Sequence, residues 1–169
     1  MCACNYRKWL ISQLHIAVLG SPQIYHAGQS LPLPTRKTLA LLLYLAVEGG
    51  MHPRAHLSRL FWPDSEDAQR QATLRGVLRD IRHALQDRAR SELPHVLVRR
   101  DALGLDPQQI HLDVQIVQEL VAALHSQPAQ STVERLSEVL LSSQGPFLDG
   151  WSFGDLPLFE DWIVSRRAY

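Results

Sequence analysis

The hydrophobic pattern is sharpest between Glu66 and Gln86, EDAQRQATLRGVLRDIRHALQ. Leu74, Leu78, Ile81 and Leu85 recur at i, i+4, i+7 and i+11, which lays one apolar stripe along one face of a helix. With Leu74 at 0° and about 100° of turn per residue, the four fall between about 340° and 40°. Arg82, Arg75 and Arg79 then stand at about 80°, 100° and 140°, a row of guanidiniums beside the seam. Gly76 lies near 200°, opposite the seam. A helical glycine costs about 1 kcal/mol against alanine, so close approach of another surface or plain surface drift has to account for it.

The rest of the chain falls into elements around that helix. Leu14 to Gly20 (LHIAVLG) is a β-branched run broken by Ser21-Pro22, and Gln23 to Tyr25 resumes it. His26-Ala27-Gly28-Gln29 supplies a turn, and Ser30 to Pro34 is confined to an edge by Pro32 and Pro34. The pattern predicts about three antiparallel strands. Thr35 is placed to cap a helix over Arg36 to Glu48 that is apolar nearly all round, hence central, and Gly49-Gly50 stops it. A second helix is predicted from His52-Pro53 through Phe61, with Pro53 in the first turn. Trp62-Pro63-Asp64 ends it, and the arginine-bearing helix follows after a short link.

Arg88 to Pro94 reads as a polar connector. His95 to Arg100 alternates as a strand, Asp101-Ala102 turns and Leu103 to Asp106 returns, a hairpin with Arg99 and Arg100 at its tip. Strands, three helices and a hairpin spell an α+β winged helix-turn-helix with an N-terminal antiparallel sheet and a C-terminal wing hairpin. In that architecture the third helix enters the major groove. From about residue 109 the texture is all-α, with helices predicted over Leu112 to Leu124, Thr132 to Leu141 and Leu156 to Tyr169. The last is still in progress at Tyr169, the expectation for the start of something longer. The predicted division is a flexible start over 1–13, a winged helix over 14–108 and a helical part over 109–169.

Charge sharpens the picture. The net charge of zero hides 14 Lys and Arg against 7 Asp and Glu in residues 1–100, and 3 against 10 in residues 101–169. A basic half suits nucleic acid and an acidic helical half suits a protein partner. It could also fold back on the basic face and inhibit it. No run approaches the roughly 18 apolar residues of a membrane span. The start does not read as a signal peptide, so a cytoplasmic protein is expected. The two cysteines, Cys2 and Cys4, lack the further ligands of a metal site, and no cofactor is expected.

The segments LHIAVLG, LPLPTRKTLALLLYLA, HLSRLFWPDSEDAQRQATLRGVLRDIRHAL and IHLDVQIVQEL, in that order, resemble the OmpR-type DNA-binding domain of bacterial SARP-type activators. FLDGWSFGDLPLFEDWIVSRR resembles the start of the bacterial transcriptional activator domain that follows it there. The likeness spans residues 14–169. Its specific marks are Phe61-Trp62-Pro63, Leu74-Arg75, Ile81-Arg82, and Phe147-Leu148 and Gly150 with Phe159-Glu160 and Trp162. The resemblance implies a sequence-specific transcriptional activator on double-stranded promoter DNA, often at direct repeats, with homo-oligomers forming on the DNA. It implies tetratricopeptide-like helices in the second part. It also implies that the link between the second and third helices, here Trp62, Pro63, Asp64 and Ser65, touches RNA polymerase.

On the residues themselves, Arg75 and Arg79 are placed for the groove, where a guanidinium fork suits guanine edges or phosphates. Arg82, nearer the seam, suits a phosphate or an acid. Gln71 and Thr73 lie near the helix start, where base contacts concentrate. Gly76, with Ala72 beside it, would let the helix sit deep. Arg36 and Lys37 stand at the first turn of the first helix, where they can meet DNA phosphate; the dipole disfavours cations there, so they read as driven by that partner. Strand alternation sends one of Arg99 and Arg100 toward DNA. The carboxylates Glu66 and Asp67 complement the dipole of the third helix. Trp151, Phe153, Phe159 and Trp162 are read as core that packs the helical part onto the winged helix.

Enzyme readings do not close. Trp62-Pro63-Asp64 matches the acid loop of tyrosine phosphatases, but the partner motif of a cysteine, five residues and an arginine is broken by Lys8 after Cys2 and by Leu10 after Cys4. His52 and His56 have helical metal-pair spacing, yet Pro53 stands where a metalloprotease carries its glutamate. Phosphate-cradling glycine loops and Gly-x-Ser-x-Gly are absent. A non-enzyme is expected. The alternative is a winged-helix protein-interaction module working through its acidic helices without specific DNA binding.

Overall fold

A computed structural model describes residues 14–87, 94–143 and 145–168. The expected flexible start, both cysteines and most of the 88–94 connector lie outside the described residues.

The N-terminal sheet comes from β1 (Leu14–Ala17), β2 (Gln23–His26) and β3 (Gln29–Ser30). β1 and β2 are antiparallel with Leu14 opposite His26 and Ile16 opposite Ile24, and β2 continues to β3 around Ala27-Gly28. The period-2 pattern buries Leu14, Ile16 and Ile24. The fourth strand is β7 (Ile110–Leu112), in the order β3-β2-β1-β7. It runs parallel to β1, Ile16 facing Leu112. Those residues stand in the stretch read as the opening of the helical part, and the expected sheet was antiparallel. A parallel neighbour needs a long crossover, and here the crossover is the whole helix-turn-helix and hairpin.

The α1 helix (Arg36–Glu48) starts at Thr35, whose Oγ1 accepts the Thr38 N–H at 3.0 Å. It ends at Gly49, which takes a φ of 61° while its N–H reaches the Leu45 carbonyl. Ala40 through Ala46 are all buried, as an all-round apolar helix requires. Met51–Pro53 corrects the sequence reading: it is a strand, β4, and α2 (Arg54–Phe61) begins only after it. β4 pairs antiparallel with β6 (Ala102–Leu105), and β6 pairs with β5 (Val96–Val98). Ala102, read as a turn residue, is thus the first of its strand. A Cβ at Gly104 would stand 2.2 Å from the Gly50 carbonyl oxygen, so the close β4–β6 approach requires glycine there.

The arginine-bearing helix is α3 (Asp67–Ala84). Leu74, Leu78, Ile81 and Leu85 are buried as the stripe predicts, and Val77 joins them on its flank. After β7, α4 (Asp113–Ser126) and α5 (Gln130–Ser142) form a hairpin with no buried residue. Asp113 anchors it: its carboxylate accepts the N–H groups of Val18 at 2.9 Å, Leu19 at 2.9 Å and Val114 at 2.8 Å. The chain then returns alongside β1, with the Leu148 N–H on the Val18 carbonyl at 2.8 Å and the Gly20 N–H on that of Pro146 at 2.9 Å.

The last helix, α6 (Pro157–Arg167), lies over α1 and α2. Phe159 meets Phe61 with ring centroids 5.3 Å apart, and Trp162 meets Tyr44 at 5.2 Å. Glu48 at the end of α1 accepts the Trp162 Nε1–H at 2.5 Å and the guanidinium of Arg166. Burial alone would raise the Glu48 carboxyl, but these two donors outweigh it and hold it below the usual carboxylate range. The aromatic residues are core, with Phe153 and Phe159 fully buried and Trp151 and Trp162 packed against them. One continuous hydrophobic cluster therefore runs from the sheet through α1–α3 to α6.

Candidate nucleic-acid interface

The link between α2 and α3 is tightly turned. The Trp62 N–H reaches the Ser58 carbonyl at 3.1 Å, and the Ser65 N–H reaches that of Trp62 at 3.3 Å. The Pro63 carbonyl accepts from Arg70 at 3.4 Å, and Arg70 also pairs with Asp67. Of the four residues proposed to meet polymerase, Asp64 is exposed and Pro63 and Ser65 are half-buried. Trp62 is buried beside Phe61, so its indole serves the core.

On the arginine-bearing side of α3, exposure rises with the angular distance from the seam. Gln71 and Arg82, nearest to it, are half-buried, while Arg75 and Arg79 are exposed. Gln71 turns back to Ser58 of α2, its Nε2 donating to Oγ at 3.4 Å. Thr73 donates its hydroxyl to the Gln69 carbonyl at 2.9 Å. The Arg79 side chain is 81% exposed, and Asp80 stands 3.7 Å from it. Gly76 has open space around it, since an added Cβ would meet nothing within 4 Å. Among the described residues no packing asks for glycine there.

Between α3 and the β5–β6 hairpin lies an open cleft of about 450 Å³, lined by Arg54, Arg75, Leu78, Arg79, Arg82, His83, Asp87 and Val98. Among the described residues four guanidiniums share it, and Asp87 is the one carboxylate on its wall. Asp87 is already committed: it accepts from His95 Nδ1 at 2.7 Å, from the His95 N–H at 3.1 Å and from the Val96 N–H at 2.8 Å. Burial works to raise the Asp87 carboxyl, and those donors prevail and keep it below the usual range. The cleft thus presents positive charge with its acid turned inward.

Arg99 and Arg100 are exposed at the hairpin tip. β5 ends at Val98, so both arginines belong to the turn, which the Arg99 N–H closes on the Ala102 carbonyl at 2.9 Å. The alternation argument that would have separated their directions therefore does not apply.

Arg36 and Lys37 stand apart from this cleft. The Arg36 guanidinium lies 5.2 Å from the Trp151 ring centre and 5.1 Å from that of Phe153, and it donates to the Ser152 carbonyl. Lys37 pairs with Asp155 at 3.1 Å. Their anionic and π partners come from the chain's own 151–155 segment. That is also where acidic sequence folds back: onto the start of α1, while Arg75 and Arg79 of α3 stay exposed. His52 and His56 have separate partners, the Gly49 carbonyl at 2.7 Å and the Tyr44 hydroxyl at 3.0 Å. Arg54 is the cleft residue that periodicity does not reveal, because only the β4 strand before it aims it at the hairpin.

Together these features define a mixed α/β protein of N-terminal strands followed by helices, an order consistent with a winged helix and an attached helical part. A solved structure shares this fold: EmbR of Mycobacterium tuberculosis, determined in complex with a low affinity phosphopeptide, superposes with a TM-score of 0.67 at 20% identity. The match covers 92% of this chain and 42% of EmbR, so the chain spans less than half the length of that protein. No family model matches the sequence, and no curated protein does. Among the described residues no helix is long and apolar enough to cross a membrane.

Proposed function

We propose that this chain is a sequence-specific, non-enzymatic DNA-binding transcriptional regulator of the SARP kind, an activator, with α3 in the major groove and the β5–β6 hairpin as its wing. The observation that carries the reading is the cleft between α3 and the hairpin, where Arg54, Arg75, Arg79 and Arg82 converge and the one described acid, Asp87, is hydrogen-bonded to His95 and Val96. A fold shared with EmbR, a transcriptional regulator of the SARP family, supports the class. On this reading Arg75 and Arg79 meet base edges or phosphates, Arg82 meets phosphate, and Arg99 and Arg100 reach the backbone beside the wing. Gln71 and Thr73, held by Ser58 and Gln69, act by shaping the helix surface. Asp64, with Pro63 and Ser65, is the surface offered to RNA polymerase. The helices α4 and α5 open a tetratricopeptide-like array, and the chain works in the cytoplasm, assembling on direct repeats.

The test is selection from a pool of random duplex DNA at two salt concentrations, with sequencing of the retained fraction. Enrichment of a repeated motif with affinity falling steeply in salt is the expected result. Retention without enrichment defeats the sequence-specific reading. It would favour a protein-interaction module, for which the exposed Val121, Val133, Leu140 and Leu141 on the acidic α4–α5 hairpin offer a surface.

A further inference from the structure

Arg54 is placed at an energetic cost that the protein does not recover internally. It is the first residue of α2, where a cation opposes the helix dipole, and that first turn carries no acid. Among the described residues no carboxylate lies within ion-pair distance of it. Its Nε is buried with no hydrogen-bond partner, and it lines a cleft with three other guanidiniums. The helix dipole and the neighbouring guanidiniums both act against a cation here.

Two contacts nevertheless hold it in place. Its backbone N–H donates to the Asp101 carbonyl at 2.8 Å, and its Nη2 reaches the Arg99 carbonyl at 3.5 Å. Both acceptors sit in the hairpin turn, so Arg54 links the start of α2 to the hairpin tip across the floor of the cleft. The β4–β6 pairing, with Pro53 opposite Ala102, fixes the residue at that position.

We infer that Arg54 binds one DNA backbone phosphate between α3 and the hairpin, and that the same guanidinium sets the position of the hairpin tip. The phosphate supplies the anion that the dipole and the neighbouring charges call for, and a planar fork serves a phosphate and a carbonyl at once. This rests on the DNA-binding reading above and adds to it a residue outside the recognition helix. Occupancy of the cleft and placement of the hairpin become coupled through one side chain.

The experiment measures binding of sheared duplex DNA of mixed sequence between about 50 and 200 mM salt, for the wild-type chain, Arg54→Met, Arg54→Lys and, as a charge-matched control on α5, Arg135→Met. One phosphate contact contributes about 0.9 to the slope of log affinity against log salt. Arg54→Met should therefore lose about 3.5-fold less affinity than wild type over that interval. Arg54→Lys should restore the wild-type slope, which a purely structural strut would not do, and Arg135→Met should leave it unchanged. Should Arg54→Met not fold, Arg54→Gln keeps a donor for the Arg99 carbonyl and reads the same slope. A neutral Arg54 variant with the wild-type slope, or an equal change in Arg135→Met, overturns the assignment while leaving DNA binding intact. A wild-type chain that binds no DNA at either salt overturns the DNA reading itself and Arg54 with it.

Discussion

Replacing Phe159 with alanine tests whether the C-terminal segment and the helix-turn-helix share one core. The Phe159 ring is fully buried, with centroids 4.9 Å from Trp162, 5.0 Å from Phe153 and 5.3 Å from Phe61. Two of those neighbours belong to the C-terminal segment and the third to α2. A buried Phe→Ala change costs about 3–5 kcal/mol, transfer and cavity together. For a chain of this size each kcal/mol lowers the melting midpoint by about 2–4 °C, so the expected fall is about 6–20 °C. Unfolding followed in parallel by far-ultraviolet circular dichroism and tryptophan fluorescence should show a single coincident transition that moves as a whole. Phe61, Tyr44 and Phe159 lie in one cluster, so the loss is felt by the helices that carry the arginines. Two separate transitions, with only the smaller one displaced, would refute the argument. The winged helix would then stand on its own core, and the packing of α6 on it would contribute little.

Three further outcomes follow from the same geometry. Arg79→Ala should leave the melting midpoint nearly unchanged, since the side chain is 81% exposed and its pair with Asp80 is a surface one; if it reads a base, it should weaken specific binding by about 1–3 kcal/mol, about 5- to 150-fold. Equal affinity for the selected motif would remove Arg79 from the groove. Gly76→Ala should stabilise the fold by up to about 1 kcal/mol, because the new methyl meets nothing within the protein; weaker DNA binding in that stabler variant would mark close approach, and unchanged binding would mark surface drift. Stability should fall on acidification below pH 6.5, the ordinary histidine value, because the His26 side chain is held lower than that by burial first and by His95 second, with Asp87 partly opposing. The unfolded chain then takes up the His26 proton before the folded one does, so stability is lost as pH drops through that window. Asp87, held below its ordinary 3.8, adds a second loss as pH falls further through its folded value. Midpoints recorded from pH 8 to 5 should flatten in His26→Gln, and an unaltered profile would discharge His26 from the effect.

How far the sequence speaks depends on how local the cause is. The Leu74–Leu85 seam, the Thr35 cap and the Gly49 stop are settled within a few residues of themselves, because helical periodicity and capping are short-range. The exposure gradient from Gln71 and Arg82 to Arg75 and Arg79 follows from the same wheel. Strand pairing is different. Met51–Pro53 carries a helix-opening proline signal and is a strand only because β6, some fifty residues on, accepts it. Ile110–Leu112 reads as the approach to a helix and is a strand only because β1 offers a parallel edge. Arg36 and Lys37 announced that they needed anionic partners, but nothing local could say that Trp151, Ser152 and Asp155 provide them. Arg54 was legible only as a cation in the first turn of a helix; its place in the cleft depends on the pairing of β4 with β6. Periodicity, which acts between neighbours, thus determined α3 and its charged face. Which cations remain free for a ligand was decided by contacts between residues far apart in the chain, and those exist only once it has folded.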